Sequence, residues 1–372
     1  MKKVTLGDVC NKAGSNIAQK DLQENEGKYP IYGASGLIKK VDFYQQELPY
    51  IAVVKDGAGI GRTMLLPGHS SVIGTVQYIL PIDRETVDLK YLYYAIVHMN
   101  LSKYFSGATI PHIYYKDYKK EPLRLPELEK QREIAIVFQR IDELIAKREQ
   151  QLKGLDELVK SRFIEMFGDE NNSKKWDIVN VENVADVQVG VVIKPSQYYT
   201  DKNEGIKAFR SLNVGEGYIK DSEWVYFSKE GHQKNSKSIL KENDLLIVRS
   251  GTPGTACVVT KDYVGSNTID LIIAHPNCEK VNPYYLCTFT NMPHGKKQIS
   301  EGIGGAAQQH FNVGKYNKLK LMLPPMKIQN KFVEFLREID KSKYYNFTSY
   351  KYCVVAANLI RQEWMLCQTL SF

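Results

Sequence analysis

The chain writes one passage twice. "LPELEKQREIAIVFQRID" runs from Leu125 to Asp142, and "LPPMKIQNKFVEFLREID" runs from Leu323 to Asp340. A single offset lays Pro126 on Pro324, Gln131 on Gln329, Ile141 on Ile339, Asp142 on Asp340 and, upstream, Tyr118 on Tyr316. With small gaps, "GATIPHI" (Gly107 to Ile113) falls on "GGAAQQHF" (Gly304 to Phe311), and "VDLKYLYYAI" (Val87 to Ile96) on "VNPYYLCTFT" (Val281 to Thr290). Further back, "YIAVVKDGAGIG" matches "LLIVRSGTPGT" loosely. Matched blocks in the same order make a duplicated unit, and a duplication decides architecture before any single motif does.

Each copy is a variable body followed by a helix. In the bodies, "LPYIAVV", "TMLLP" and "TVQYILPI", then "DLLIVRS", "TACVVT" and "TIDLIIA", are rich in β-branched and aromatic residues and are bounded by Gly, Pro, Asp or Asn, which predicts short strands. A short helix is expected after them in each copy, at "LKYLYYAIVHM" and "PYYLCTFTNM". The fold class is therefore α+β, with two repeated α+β domains separated by long, antiparallel coiled-coil helices. The expected division is residues 1–125 and 169–323 for the bodies, with helical segments at 126–168 and 324–372.

From Gln131 to Phe167 there is no proline, and Phe138, Ile145, Leu152, Val159 and Met166 recur every seven residues, with Ile141 and Leu155 on the alternate seam. Such a helix is about 55 Å long. Gly168 supplies its C-terminal cap. Arg148 and Arg162 interrupt the seam, either as edge residues lying along it or as contacts to a partner. The seam residues Phe138, Ile145, Leu152, Val159 and Met166, with both arginines, are the candidate partner-binding set. In the second copy Phe335, Leu336, Ile339, Tyr350, Cys353, Ala357, Ile360 and Trp364 keep the register, and an antiparallel pairing would put the bodies at opposite ends of a rod.

These features together resemble the DNA-specificity subunit of type I restriction-modification enzymes: two variable α+β bodies, each ending in a Gly-Ala-Thr or Gly-Ala-Ala turn, then "L.LP" and "Q......F..ID". The resemblance covers nearly the whole chain. It implies two target-recognition domains, each reading one half of a bipartite site in double-stranded DNA, with the repeated helices fixing the spacer. It also implies a non-catalytic subunit that carries two methyltransferase subunits and, in the restricting complex, restriction subunits. S-adenosylmethionine, ATP and Mg are then expected on those partners, with no cofactor on this chain. The tail from Tyr344 departs from the family's Lys/Glu/Leu-rich helix. Its poor helix formers, Asn346 to Ser349, are expected to break or shorten the second helix.

Enzyme-like motifs weaken on inspection. "KDGAGIGRT" follows a strand as a phosphate loop does, but Arg62 stands where that loop has lysine, and "TMLLPGHSS" reads as strand and turn instead of a helix. "NPYY" at Asn282 to Tyr285 has "DLKY" as its repeat partner, so a helix start accounts for both. His275, Cys278, Cys287 and His294 fit no zinc spacing. The six cysteines contain no CxxC pair, which suits a reducing cytoplasm, and no stretch approaches the roughly 18 unbroken apolar residues of a membrane span.

A net charge of +8 is compatible with a polyanionic partner. Lys39, Lys40, Lys55, Arg62, Lys116, Lys194, Arg210 and Arg249 are candidates for phosphate or guanine contacts. In the turn before the second long helix Gln308 and Gln309 are candidates to read adenine, beside His310. His112 and Tyr114 hold the equivalent turn of copy one, and Thr252 lies in the loop matching "KDGAGIG". A self-sufficient methyltransferase or nuclease would need a cofactor loop that neither copy carries. A coiled-coil protein adaptor would explain the helices but not two elaborate bodies.

Overall fold

The computed structural model describes residues 2–107, 110–302 and 311–369. Two compact units divide it, one formed by residues 1–150 and 347–372, the other by residues 151–346. Both expected helical segments are therefore cut by the boundary between units, which falls inside helices and not at their ends.

In the first unit a four-stranded antiparallel sheet has the order Cys10–Gly14, Val76–Pro81, Tyr50–Val54, Thr63–Leu66. Its central strand is buried at all five positions, and its period of two explains why. Ile51 and Val53, with Ile79, face a core containing the helix Leu89–His98; Tyr50, Ala52 and Val54 face a second core with Val72, Val76 and Tyr78. A smaller sheet, Gly36–Val41, Tyr29–Gly33, Ser71–Val72, stands beside it. The antiparallel pair Lys2–Thr5 and Pro122–Leu125 joins the start of the body to its end.

The second unit repeats this plan. Its sheet order is Ala185–Val189, Leu271–Pro276, Leu245–Val248, Ala256–Val258. Leu245 and Ile247 face the core that holds the helix Pro283–Asn291, while Leu246 and Val248 pack with Phe209 on the other face. Asp177–Asn180 pairs with Lys320–Leu323 as the terminal strands of the first unit pair. The short helices start on matched caps: Asp88 accepts the Tyr91 N–H at 2.9 Å, and Asn282 accepts the Tyr284 N–H at 3.0 Å with Pro283 in the first turn. "NPYY" is thus a capped helix start.

The first long helix spans Leu128–Phe167. Gly168 ends it at φ +91°, its N–H returning to Ile164 O at 2.8 Å. The second, Met326–Thr369, runs on through Asn346 to Ser349 without a break, contrary to the expectation from its composition. Tertiary contacts offset the poor propensity there. Within the first unit the Tyr350 hydroxyl donates to Glu149 at 2.9 Å, Arg361 pairs with Asp142, and Trp364 meets Phe138 with ring centroids 5.3 Å apart. Rising numbers on one helix meet falling numbers on the other, so the segments are antiparallel. The second unit shows the same sense, with Lys343 on Asp156 at 2.7 Å and Phe332 on Phe163 at 5.4 Å. Among the described residues no helix is long and apolar enough to cross a membrane.

These pairings absorb much of the heptad stripe. Phe138 is buried in the first unit's core, and Val159, with Met166 packed against it, belongs to the second unit's core. Ile145 and Leu152 are half-buried. Arg162 bonds Glu165 at 2.7 Å and lies 5.9 Å from the Phe335 ring centroid, while Arg148 is half-buried and already engaged. The chain itself covers the seam at Phe138 and Val159, which have no open face to offer a partner.

Candidate nucleic-acid interface

In each unit the loop that leaves the central strand is clasped the same way. Lys55 follows Val54, and Arg249 follows Val248. The Lys55 carbonyl accepts the Ile113 N–H at 3.0 Å, and the Arg249 carbonyl accepts the Phe311 N–H at 3.0 Å. The loop closes by a bond from Gly61 N–H to Val54 O at 2.9 Å in one unit and from Gly254 N–H to Val248 O at 2.9 Å in the other. Gly61 and Gly254 both have positive φ, +80° and +83°, and a Cβ on Gly61 would come within 2.6 Å of the Ser102 nitrogen. In the first unit the strand Thr63–Leu66 follows immediately, so no helix N-terminus stands behind this loop to hold a phosphate.

The first unit gathers several of the candidate side chains around this clasp. Lys55 Nζ lies 3.2 Å from Asp56, which also pairs with His112 Nδ1. The His112 and Tyr114 rings are 4.1 Å apart, and Lys116 Nζ sits 5.2 Å from the centre of the Tyr114 ring. Lys55, His112, Tyr114 and Lys116 thus form one basic and aromatic cluster. At the far end of the loop exposed Arg62 donates to Ala34 O at 3.1 Å, in the turn before the strand that carries Lys39 and Lys40. Lys40 is exposed, whereas the Lys39 ammonium donates to Leu22 O at 3.0 Å.

In the second unit Arg249 is a clamp. Its Nη1 donates to Asp270 at 2.5 Å and its Nε to Phe311 O at 3.2 Å, leaving the side chain 16% exposed. The fork expected to meet a guanine is already committed to holding three segments together. Arg210 is similar: Nη2 donates to Glu223 O at 2.5 Å. Lys194 is exposed at φ +42°, and Thr252 is exposed in the glycine-bounded turn. Gln308, Gln309 and His310 lie outside the described residues.

Sequence reasoning passed over Asp56 and Asp270, the acids that fix the basic residues. Asp56 adjoins Lys55 and was visible as a charge pair, but Asp270 is separated from Arg249 by 21 residues and only the fold brings it near. The residues that suggested metal or nucleophile chemistry are used otherwise. His275 bonds buried Asp244 at 2.6 Å, and the buried Cys287 thiol donates to Ala256 O at 3.4 Å. Burial pushes the Cys10 and Cys257 thiols up to about 12, which keeps them protonated and poorly nucleophilic. Among the described residues no three His, Cys, Asp or Glu side chains converge to hold a metal.

Against known proteins, the family model described as type I restriction modification DNA specificity domain matches residues 1–155 and 173–345. The MjaVIII specificity subunit, a type I restriction enzyme protein of Methanocaldococcus jannaschii, is 24% identical, over 91% of this chain and 85% of that one. A putative specificity subunit of a type I restriction enzyme from Haemophilus influenzae is 21% identical over 90% and 86%. Among solved structures, the S subunit of the type I restriction-modification system from M. genitalium superposes with TM-score 0.63 at 15% identity, covering 97% of this chain and 94% of that one. A chain from a study of type I system assembly and conformational transition gives 0.59 at 14%, over 97% and 96%. At such identities the structural likeness shows a common fold.

Proposed function

This chain belongs to the type I restriction modification DNA specificity family, and from that premise we propose that each of its two units reads one half of a bipartite site in duplex DNA. The observation that carries the reading is the duplicated clasp: each body presents, after its central strand, a glycine-bounded loop with a basic residue at its root. Arginine, lysine and aromatic side chains on such loops suit phosphate oxygens and base edges. In the first unit Lys55, Arg62, His112, Tyr114, Lys116 and Lys40 would make those contacts. In the second, Lys194 and Thr252 would do so, with Arg249 and Arg210 shaping the loops. The chain performs no chemistry of its own in this reading. Two methyltransferase subunits, with S-adenosylmethionine, and restriction subunits, with ATP and Mg, supply it in the cytoplasm.

The test is an exchange. Replacing residues 1–125 by the corresponding body of another family member, and sequencing methylated sites in cells, should change one half-sequence and keep the other. Replacing residues 169–323 should do the reverse. Loss of both half-sequences from either exchange, in a folded chain, would refute independent reading.

A further inference from the structure

Val192 and Ile193 protrude from the second unit with 48% and 79% of their surfaces exposed. Their neighbour Lys194 is exposed and held at φ +42°, and Pro195 opens a short 3-10 helix with its own φ fixed, which anchors the chain just beyond the tip. An unbroken hydrogen-bonded run ties this tip to the clasped loop. Val191 N–H donates to Thr268 O at 2.8 Å, Asp270 N–H donates to Val191 O at 3.1 Å, and Asp270 takes the Arg249 guanidinium. A wedge needs such a base, because a point that bends away cannot pry stacked bases apart.

We infer that Val192 and Ile193 form an apolar wedge that enters the target duplex and unstacks one base step, with Lys194 on the neighbouring phosphate. This rests on the DNA-reading function above. The partner is nucleic acid and not protein because two side chains present far less than the roughly 800 Å² per side of a stable protein interface. A protruding apolar point beside a cation is what a base step and its phosphate accept. The wedge would add selection by deformability, since pyrimidine–purine steps open more readily than others.

The experiment uses the full chain and duplexes it selects from a random-sequence pool, with 2-aminopurine placed in turn at each adenine of the selected site. Binding of the wild type should brighten one position. Ile193→Ser should abolish that signal and weaken binding to the selected duplex about tenfold, while binding to an unselected duplex stays unchanged because Lys194 remains. Ile193→Leu should retain both. The serine side chain lies in solvent, so its thermal transition should match the wild type. If no position brightens although a site is selected, or Ile193→Ser keeps signal and affinity, the wedge is refuted and the DNA reading stands. Weaker binding by Ile193→Ser without any brightening means a base-edge contact, such as a thymine methyl, and also refutes the wedge. Failure of the wild type to select any duplex would overturn the DNA reading itself, and the wedge with it.

Discussion

Gln329 and Gln131 do the same work in the two units. Gln329 accepts the Asn282 N–H at 2.8 Å and donates to Pro324 O at 2.7 Å and Lys280 O at 3.3 Å; Gln131 accepts the Asp88 N–H and donates to Pro126 O and Thr86 O, each at 2.8 Å. Both are fully buried. Each amide fastens the root of a long helix to the start of the short helix that packs on the sheet.

A buried polar group left without a partner costs roughly 1–3 kcal/mol. Gln329→Leu strands one N–H and two carbonyls, so the second unit should lose about 2–4 kcal/mol, some of it recovered by water. Gln131→Leu should do the same to the first unit. Hydrogen exchange resolved along the chain measures this: protection should fall in the unit that carries the substitution. Equal loss in both units from either variant would show that the amide is not a local fastener.

The tail beyond Tyr344 looked least helical in the sequence, yet from residue 347 it belongs to the first unit and packs into it. Trp364 meets the rings of Tyr91, His98 and Phe138 at centroid distances of 5.8, 5.5 and 5.3 Å. A fully buried Trp→Ala change costs about 3–5 kcal/mol; Trp364 is half-buried, so Trp364→Ala should cost about 2–3 kcal/mol. Truncation after Asn346 should expose the helix Leu89–His98 to proteolysis and leave residues 177–323 protected. Cleavage spread evenly along the chain would contradict this.

The duplication, the strands and the short helices were legible because they rest on local pattern: Tyr50–Val54 and Leu245–Val248 are apolar runs between turn residues, and Gln131 and Gln329 share an offset. What lay beyond reach depended on distant partners. Nothing near Asn346 announces that Tyr350 reaches Glu149 or that Trp364 closes over Phe138. The stripe through Phe138 and Val159, with the matching register of the second long helix, pointed to the chain's own segments as its cover, but not to which residues meet. Arg249 reads as an available cation until Asp270 is placed beside it.

His98 should make the first unit sensitive to acid. Burial holds its imidazole below the ordinary value of 6.5, against the opposing pull of its bond to the Tyr94 carbonyl. The unfolded chain then binds a proton that the folded chain resists, so His98's contribution is fully present above pH 6.5 and is lost as pH falls below it toward the folded pKa. Unfolding measured between pH 7.5 and about 5 should show this loss, and His98→Gln should flatten the contribution due to this residue. An identical slope in the variant would assign the acid sensitivity elsewhere.

Arg62 and Arg249 should separate reading from shaping. Arg62 is exposed and gives one N–H to Ala34, whereas Arg249 is 16% exposed and committed to Asp270 and Phe311. If Arg62 lies on a phosphate, Arg62→Ala should leave the thermal transition nearly unchanged and lower the slope of log affinity against log salt by about 0.9, the release of one counterion. If it forks onto a guanine, binding should weaken by about 1–3 kcal/mol and tolerance should widen at one base pair. Arg249→Ala should instead lower thermal stability, because Asp270 and the Phe311 carbonyl lose their donor, and should blur a whole half-sequence with the salt slope kept. Arg249→Lys should not rescue it, since one ammonium cannot reproduce the two directions in which the guanidinium donates. Should Arg249→Ala reduce the salt slope by a full counterion while stability stays intact, Arg249 would be a phosphate contact and the clamp would be incidental.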